Sequence, residues 1–140
     1  MDTIVSESGK GKYTQEIIIG EHVLIGDEPV ESGGNNLGPT PYDFLLAALG
    51  SCTSMTLRTY ADFKKIPLTK VVVTLQHDKI YANDCAHCEN SHSKIDHINR
   101  QIELQGDLTQ DQRDKLLEIA NNCPVHRTLT SKISITTQLV

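Results

Sequence analysis

The stretch GPTPYDFLLAALGSCTSMTLRTYADF, residues 38–63, decides the fold of this chain. Thr40, Pro41 and Asp43 predict a helix start, because they combine an N-cap hydroxyl, a proline at the first helical position and a capping-box acid. The helix is predicted to run about 22 residues to Phe63, or about 33 Å. Its first half is apolar on nearly every side, which is typical of a helix buried at the centre of a protein. One small domain supplies too little cover for such a helix, so the pattern favours a homodimer.

The segment that precedes this helix predicts an N-terminal β-meander. Apolar runs at 2–7, 13–19 and 21–26 predict three short strands separated by glycine-containing turns. The segment 27–41 is rich in Gly, Pro, Asn and Ser and is predicted to be a loop.

The segment that follows the helix predicts further strands and a second helix. Residues 70–82 are β-branched and apolar, which favours a long strand, and 98–106 alternates Ile98, Ile102 and Leu104 on one side. A helix is predicted from Thr109 to about Asn122, with Gln112 completing a capping box. The final run 132–140 alternates as a strand does, with one side formed by Ile133, Ile135, Thr137 and Leu139.

The predicted element order is β-β-β-α-β-β-α-β. It indicates an α+β fold in which two main helices accompany an antiparallel sheet. We find no repeat, linker or low-complexity tract, so residues 1–140 are predicted to form a single domain.

Composition excludes several classes of function. A formal net charge of −5 and an aromatic content of 4% offer neither a basic face nor stacking surfaces for nucleic acid. No apolar run reaches the length of a membrane span, and the N-terminus lacks the apolar core of a signal peptide. Four cysteines in such a chain favour a reduced, cytoplasmic protein. Nucleotide-binding and nucleophile-elbow motifs are absent, and we expect no cofactor.

Two cysteines lie in contrasting settings. Cys52 is in the middle of the long helix among small residues, where a buried thiol is by itself an inert side chain that allows close packing. Cys123 precedes Pro124, and the sequence PVHRTL predicts a short helical turn with Cys123 at its N-cap. Free N–H groups at that position stabilise a thiolate, and His126 and Arg127 add positive charge. Simple packing at a helix end is the alternative interpretation of Cys123.

A second pair of cysteines forms the motif CAHC, Cys85 to Cys88. A CxxC motif can be a redox dithiol or half of a zinc site, and His87, His92 and His97 are the nearby candidate ligands. The motif does not open a helix after a strand, so a thioredoxin-like role is disfavoured. A zinc site and plain loop cysteines both remain open interpretations.

Two stretches, 38–61 and 116–139, together resemble the osmotically inducible protein C and organic hydroperoxide resistance (OsmC/Ohr) family. That family too carries one cysteine on a proline-opened central helix and another in a CPVH-type turn. The resemblance implies an intertwined homodimer and a stress-response protein that reduces organic hydroperoxides. By this resemblance Cys52 would be the peroxidatic thiol and Cys123 the resolving thiol, with an external dithiol restoring both.

The chain departs from the family pattern at the groups that activate the first thiol. Tyr42 occupies the place of the family's glutamate, with Asp43 one residue later, and no arginine precedes Arg58 in the N-terminal region. Lys12 is the nearest substitute for the family's arginine, and a lysine does not reproduce its geometry. The resulting alternative is a non-catalytic dimeric module that binds a small apolar ligand at the interface.

Overall fold

The computed structural model describes residues 1–81 and 93–140, which divide into two compact units, Met1–Leu45 and Leu46–Val140. The architecture is α+β with antiparallel strands, as the sequence predicted, and a single domain over 1–140 stays a prediction. In chain order the elements are β1 (Thr3–Glu7), β2 (Gln15–Ile19), β3 (His22–Gly26), a 3-10 turn (Val30–Ser32), α1 (Pro41–Phe63), β4 (Leu68–Tyr81), β5 (Lys94–Gly106), α2 (Gln110–Ala120) and α3 (Pro124–Leu129).

The first unit is built on the predicted meander. Strands β1, β2 and β3 pair antiparallel in chain order, and Gly20 turns β2 into β3 with a positive φ of 59°. Such a φ favours glycine because it has no Cβ. The predicted strand positions are therefore confirmed to within two residues. The loop that follows β3 is also confirmed, apart from its 3-10 turn.

Asp27 fixes the start of this loop from a buried position. Its carboxylate accepts hydrogen bonds from the Thr14 hydroxyl at 3.0 Å, the Glu28 N–H at 2.8 Å and the Leu37 N–H at 3.2 Å. Burial raises the pKa of Asp27, but these hydrogen bonds to the ionised form outweigh that effect and lower the pKa below its ordinary value.

Helix α1 begins where the sequence predicted. The Asp43 side chain accepts from the Thr40 N–H at 2.9 Å, and the Asp43 N–H donates to the Thr40 hydroxyl at 3.2 Å, which is a reciprocal capping box. The prediction of burial on every side is wrong for the single chain, since Tyr42 and Leu45 are exposed. Burial follows one stripe at a spacing close to one helical turn, formed by Leu49, Gly50, Thr53, Leu57 and Ala61.

The second unit packs this stripe into its core. Strands β4 and β5 form a long antiparallel hairpin, and α2 begins with the predicted capping box between Thr109 and Gln112. The core joins the end of α1, the start of β4 and one face of α2 through the buried residues Leu57, Ala61, Leu68, Leu116 and Ala120. These residues are brought together because α1 and α2 each present apolar positions at helical spacing.

Gly50 lets strand β4 approach α1 closely. A Cβ at Gly50 would lie 2.8 Å from the end of the Leu75 side chain on β4. The small residue beside Cys52 therefore accommodates a strand of the same unit.

The predicted final strand is not formed. Residues 132–140 have no regular secondary structure, and their side chains are exposed, with Ile135 at 85%. The alternating pattern is present in the sequence, but a β-strand requires a hydrogen-bonding neighbour, and the described residues pair none with this segment.

Within the described parts of the chain, no helix combines the length and hydrophobicity that crossing a bilayer requires.

Candidate functional site

Cys123 lies at the N-cap of α3, as the sequence predicted. Its backbone is extended, Pro124 takes the first helical position, and the His126 N–H donates to the Cys123 sulfur at 3.3 Å. The thiol replaces the hydroxyl or carboxylate that usually caps a helix. Cys123 is 0% exposed, so its sulfur is closed to solvent in this structure.

The structure brings Cys52 and Cys123 together. Cys52 lies one turn before Thr56 on α1 and is half-buried, and its sulfur accepts a hydrogen bond from the Val125 N–H at 3.5 Å. The Cys52 side chain also contributes to lowering the pKa of the Cys123 thiol, and both thiols are reduced. Consecutive backbone N–H groups at the start of α3 thus each donate to one of the two sulfurs.

The positive charge of the site comes from Arg100, on β5. Its guanidinium donates to the Thr53 hydroxyl at 3.0 Å, to the Asn121 side-chain oxygen at 2.9 Å and to the His126 ring at 3.2 Å. Thr53 connects this cation with the thiol pair, because its oxygen also lies 3.8 Å from the Cys123 sulfur. Strand β5, helix α1 and helix α3 each contribute one part of the arrangement.

The surroundings of Cys123 favour its thiolate. Burial raises the pKa of this thiol, but the hydrogen bonds from the His126 N–H, Thr53 and Cys52, together with the charge of Arg100, bring it below its ordinary value. Charge and hydrogen bonding to the ionised form therefore outweigh desolvation here.

His126 supports the arginine as a neutral imidazole. Its burial and the nearby charge of Arg100 both lower its pKa. Because Arg100 donates to Nδ1, that nitrogen is the acceptor and the ring proton resides on Nε2. His126 therefore adds no positive charge at neutral pH, contrary to the charge that the sequence analysis assigned to it. Its ring orients the guanidinium of Arg100, and its backbone N–H donates a hydrogen bond to the Cys123 sulfur.

The other predicted supporting residues occupy separate places. Arg127 is exposed in the last turn of α3. Lys12, Tyr42 and Asp43 belong to the first unit, where Asp43 caps α1 and the Lys12 ammonium stands 4.9 Å from the centre of the Tyr13 ring. An activating role for these four residues stays a prediction.

The CAHC motif lies outside the described residues, so the zinc interpretation of Cys85, His87, Cys88 and His92 is not addressed by the structure. His97 is an exposed residue of β5. Within the described residues, no group of three or more His, Cys, Asp or Glu side chains is arranged to hold a metal ion.

Arg100 is the functional residue that the sequence analysis missed. It belongs to the alternating side of β5 that also carries Ile98, Ile102 and Leu104, and all four are half-buried. A charged residue on the apolar side of a strand is unusual, because a buried charge requires partners. That position was the available signal, whereas the family resemblance pointed to an arginine in the N-terminal region.

Residues 33–138 match the sequence pattern of the OsmC-like protein family. This match spans most of the chain and includes both thiols, Arg100 and His126. The chain belongs to the OsmC-like protein family. The resemblance found in the two cysteine motifs is thereby confirmed. The sequence matches no curated protein.

Solved structures with OsmC-like folds agree with this assignment. An OsmC-like protein from Mycoplasma pneumoniae is 18% identical and has a TM-score of 0.69, covering 91% of this chain and 85% of that chain. The organic hydroperoxide resistance protein OsmC from Legionella pneumophila is 22% identical, with a TM-score of 0.65 and coverage of 93% and 90%. An organic hydroperoxide resistance protein from Elizabethkingia anophelis is 17% identical, with a TM-score of 0.64 and coverage of 91% and 86%. At these identities the likeness shows the fold.

Proposed function

We propose that this OsmC-like protein reduces organic hydroperoxides with the Cys52–Cys123 thiol pair. The observation that carries the proposal is that consecutive N–H groups of α3 donate to the Cys52 and Cys123 sulfurs beside the guanidinium of Arg100. A reactive thiol needs a neighbour that forms a disulfide with it and a positive charge that stabilises the thiolate. Both requirements are met within the second unit.

The chemistry proceeds in three balanced steps. The Cys52 thiolate attacks the outer oxygen of the hydroperoxide, the O–O bond breaks, and the alkoxide takes up a proton to leave as an alcohol. The Cys123 thiolate then attacks the Cys52 sulfenic acid, giving a disulfide and releasing hydroxide that is protonated to water. An external dithiol reduces the disulfide and is itself oxidised. We assign the first attack to Cys52 because it is half-buried, whereas Cys123 is 0% exposed.

The names of two structural relatives point in the same direction. The Legionella pneumophila and Elizabethkingia anophelis proteins are both described as organic hydroperoxide resistance proteins. We extend that activity class to this chain on the strength of its own thiol pair.

A peroxidase assay tests the proposal. Consumption of cumene hydroperoxide in the presence of a small dithiol is followed for the wild type, Cys52→Ser and Cys123→Ser. We expect Cys52→Ser to lose at least about 99% of the activity, since it lacks the attacking sulfur. Cys123→Ser should turn over slowly and retain a sulfenic acid on Cys52. Equal rates in wild type and Cys52→Ser would rule out the proposed reaction.

A non-catalytic module that binds a small apolar ligand is the second candidate function. The first unit contains an open, mostly apolar cavity of about 550 Å³, lined on its sheet side by Val5, Ile17, Ile19 and Leu24 and on its helix side by Phe44. That volume suits a small molecule. Calorimetric titration with medium-chain alcohols and fatty acids, using Ile17→Asp as the control variant, would detect such binding. This function requires saturable binding by a protein that leaves hydroperoxides intact.

We also propose that the protein is a homodimer. The exposed apolar side chains of α1, which include Met55 at 68% and Phe63 at 78%, suit burial against another protein surface. The alternating segment 132–140, which is exposed, also suits burial against another protein surface. A second copy of the chain would satisfy both.

A further inference from the structure

The charge of Arg100 has only neutral hydrogen-bonding partners among residues 1–81 and 93–140. These are a hydroxyl on Thr53, an amide oxygen on Asn121 and an uncharged ring on His126. No carboxylate in those ranges forms an ion pair with this guanidinium. A half-buried cation without a counter-charge is costly, so the site favours an anion close by. The Cys123 sulfur is an ionisable group that this charge reaches.

Two residues couple Arg100 to Cys123. The Thr53 hydroxyl accepts a hydrogen bond from Arg100 at 3.0 Å and lies 3.8 Å from the Cys123 sulfur, and the Leu49 carbonyl at 2.7 Å is the other group within reach of its hydrogen. His126 accepts from Arg100 with its ring and donates to Cys123 with its backbone. The guanidinium is thus fixed in the surroundings of Cys123.

The two thiols also differ in their exposure to solvent. The cation is coupled to Cys123, but Cys52 is the more accessible thiol. Cys52 is half-buried and can meet a hydroperoxide, whereas Cys123 is 0% exposed. A dissolved oxidant therefore reaches Cys52 first, and Cys123 reacts with what Cys52 has become. The cation is coupled to the thiol that reacts second.

We infer that Arg100 is a positioning residue for the resolving step, preparing Cys123 as a thiolate before the peroxide arrives. This inference rests on the proposed function and deepens it. In that step the Cys123 sulfur attacks the sulfur of the Cys52 sulfenic acid, an S–S bond forms and the S–O bond breaks. The departing hydroxide takes up the proton that Cys123 released to the solvent on ionising, and leaves as water. The effect is to shorten the life of the sulfenic acid, which excess peroxide would otherwise oxidise further to sulfinic acid.

A peroxide-independent experiment isolates the resolving step. Dithiodipyridine is a neutral disulfide that forms a mixed disulfide with Cys52 and releases one thiopyridone. Cys123 then displaces the second thiopyridone as the protein disulfide forms. Cys85 and Cys88 would react with the same reagent, so both are replaced by serine in every protein compared. The two releases are then followed by absorbance in that background, which serves as wild type, and in the same background with Arg100→Met, Arg100→Lys or Lys115→Met. Lys115 is an exposed residue of α2, and its replacement removes a positive charge away from the thiols.

We expect Arg100→Met to slow the second release several-fold at pH 7, since loss of the charge raises the Cys123 pKa and leaves less thiolate to attack. The difference should narrow as the pH is raised through about 9, where a thiol ionises without help. Arg100→Lys should lie between wild type and Arg100→Met, and Lys115→Met should match wild type. With a hydroperoxide, Arg100→Met should accumulate Cys52 sulfenic acid, trapped by dimedone, and then sulfinic acid.

Two outcomes would overturn the inference. One is an unchanged second release in Arg100→Met, and the other is a first release slowed as much as the second, which would assign the charge to Cys52. If Arg100→Met fails to fold, as judged by circular dichroism, Thr53→Val provides the same test by removing the oxygen between cation and sulfur. If the wild type ignores hydroperoxides while the two releases behave as expected, the proposed peroxidase function fails and the role of Arg100 in disulfide formation stands.

Discussion

Asp27 places a negative charge where only 2% of the residue is exposed to solvent. Its carboxylate accepts hydrogen bonds from the hydroxyl of Thr14, the residue before β2, and from the backbone N–H groups of Glu28 and Leu37 in its own loop. Hydrogen bonds of this kind are strong because the acceptor is ionised. The loop between β3 and α1 therefore depends on the ionisation of one side chain.

The ionisation of Asp27 leads us to expect that the first unit loses stability in acid. Its folded-state pKa lies below the ordinary value of 3.8, so its stabilising contribution is present above that value and is lost as the pH falls through the folded pKa. We expect Asp27→Asn to lower the melting temperature at pH 7 and to have a progressively smaller effect as the pH falls below 3.8 towards the lowered folded pKa. Thermal melts of both proteins across this pH range measure the difference. An equal decrease at every pH would contradict it.

Among single residues, contacts between sequence neighbours were predictable, and contacts between residues far apart in the sequence were not. The capping role of Cys123 was predictable because Pro124 follows it directly, and the hydrogen bond it accepts comes from three residues away. The partnership of Arg100 with Thr53 spans 47 residues and exists only when β5 lies beside α1. Residue spacing carries no information about such a contact.

Helix α1 shows how an element can serve two purposes with two sets of residues. Its stripe of Leu49, Thr53, Leu57 and Ala61 enters the core of the second unit, while Cys52 lies beside the stripe and remains half-buried. The same helix therefore anchors itself and presents a thiol. The register between stripe and thiol is set by the helical spacing alone.

Replacement of Leu57 tests how much the packing of this stripe contributes to stability. It is 0% exposed within the cluster that includes Leu68 and Leu116. We expect Leu57→Ala to lower the free energy of unfolding by about 2–5 kcal/mol, from lost burial and the cavity left behind. Urea unfolding followed by circular dichroism gives the value. Thr59→Ala, at an exposed position of the same helix, is the matched control and should change the stability by about 0.5 kcal/mol or less.

Helices and strands with strong local signals were predicted well, and the failures share one cause. Capping boxes at Thr40 and Thr109 fixed two helix starts, since both partners lie within three residues. The strand expected at 132–140 and the all-round burial of α1 were wrong because both depend on a neighbour that the described chain does not provide. Hydrophobic patterning identifies a surface to be covered without identifying what covers it.

At the scale of the whole molecule, self-association is the property that the exposed surfaces predict. We expect light scattering to give twice the 15.5 kDa mass of one chain. Ile135→Asp introduces a charge on the apolar side of segment 132–140 and should shift the protein towards the monomer. Thr136→Asp places the same charge on the other side of the alternation and should leave the dimer intact. A wild type that remains monomeric at micromolar concentration would exclude this assembly.

The pairing of β4 with β5 places Arg100 opposite Leu75. Successive side chains of a strand point to opposite faces, so inserting one residue between Ile98 and Arg100 would turn the guanidinium away from Thr53 without altering either cysteine. The register of the β4–β5 hairpin thus determines whether the guanidinium of Arg100 lies beside the thiols. Two relatives with identical thiols and identical helices could differ in reactivity through a single β-bulge.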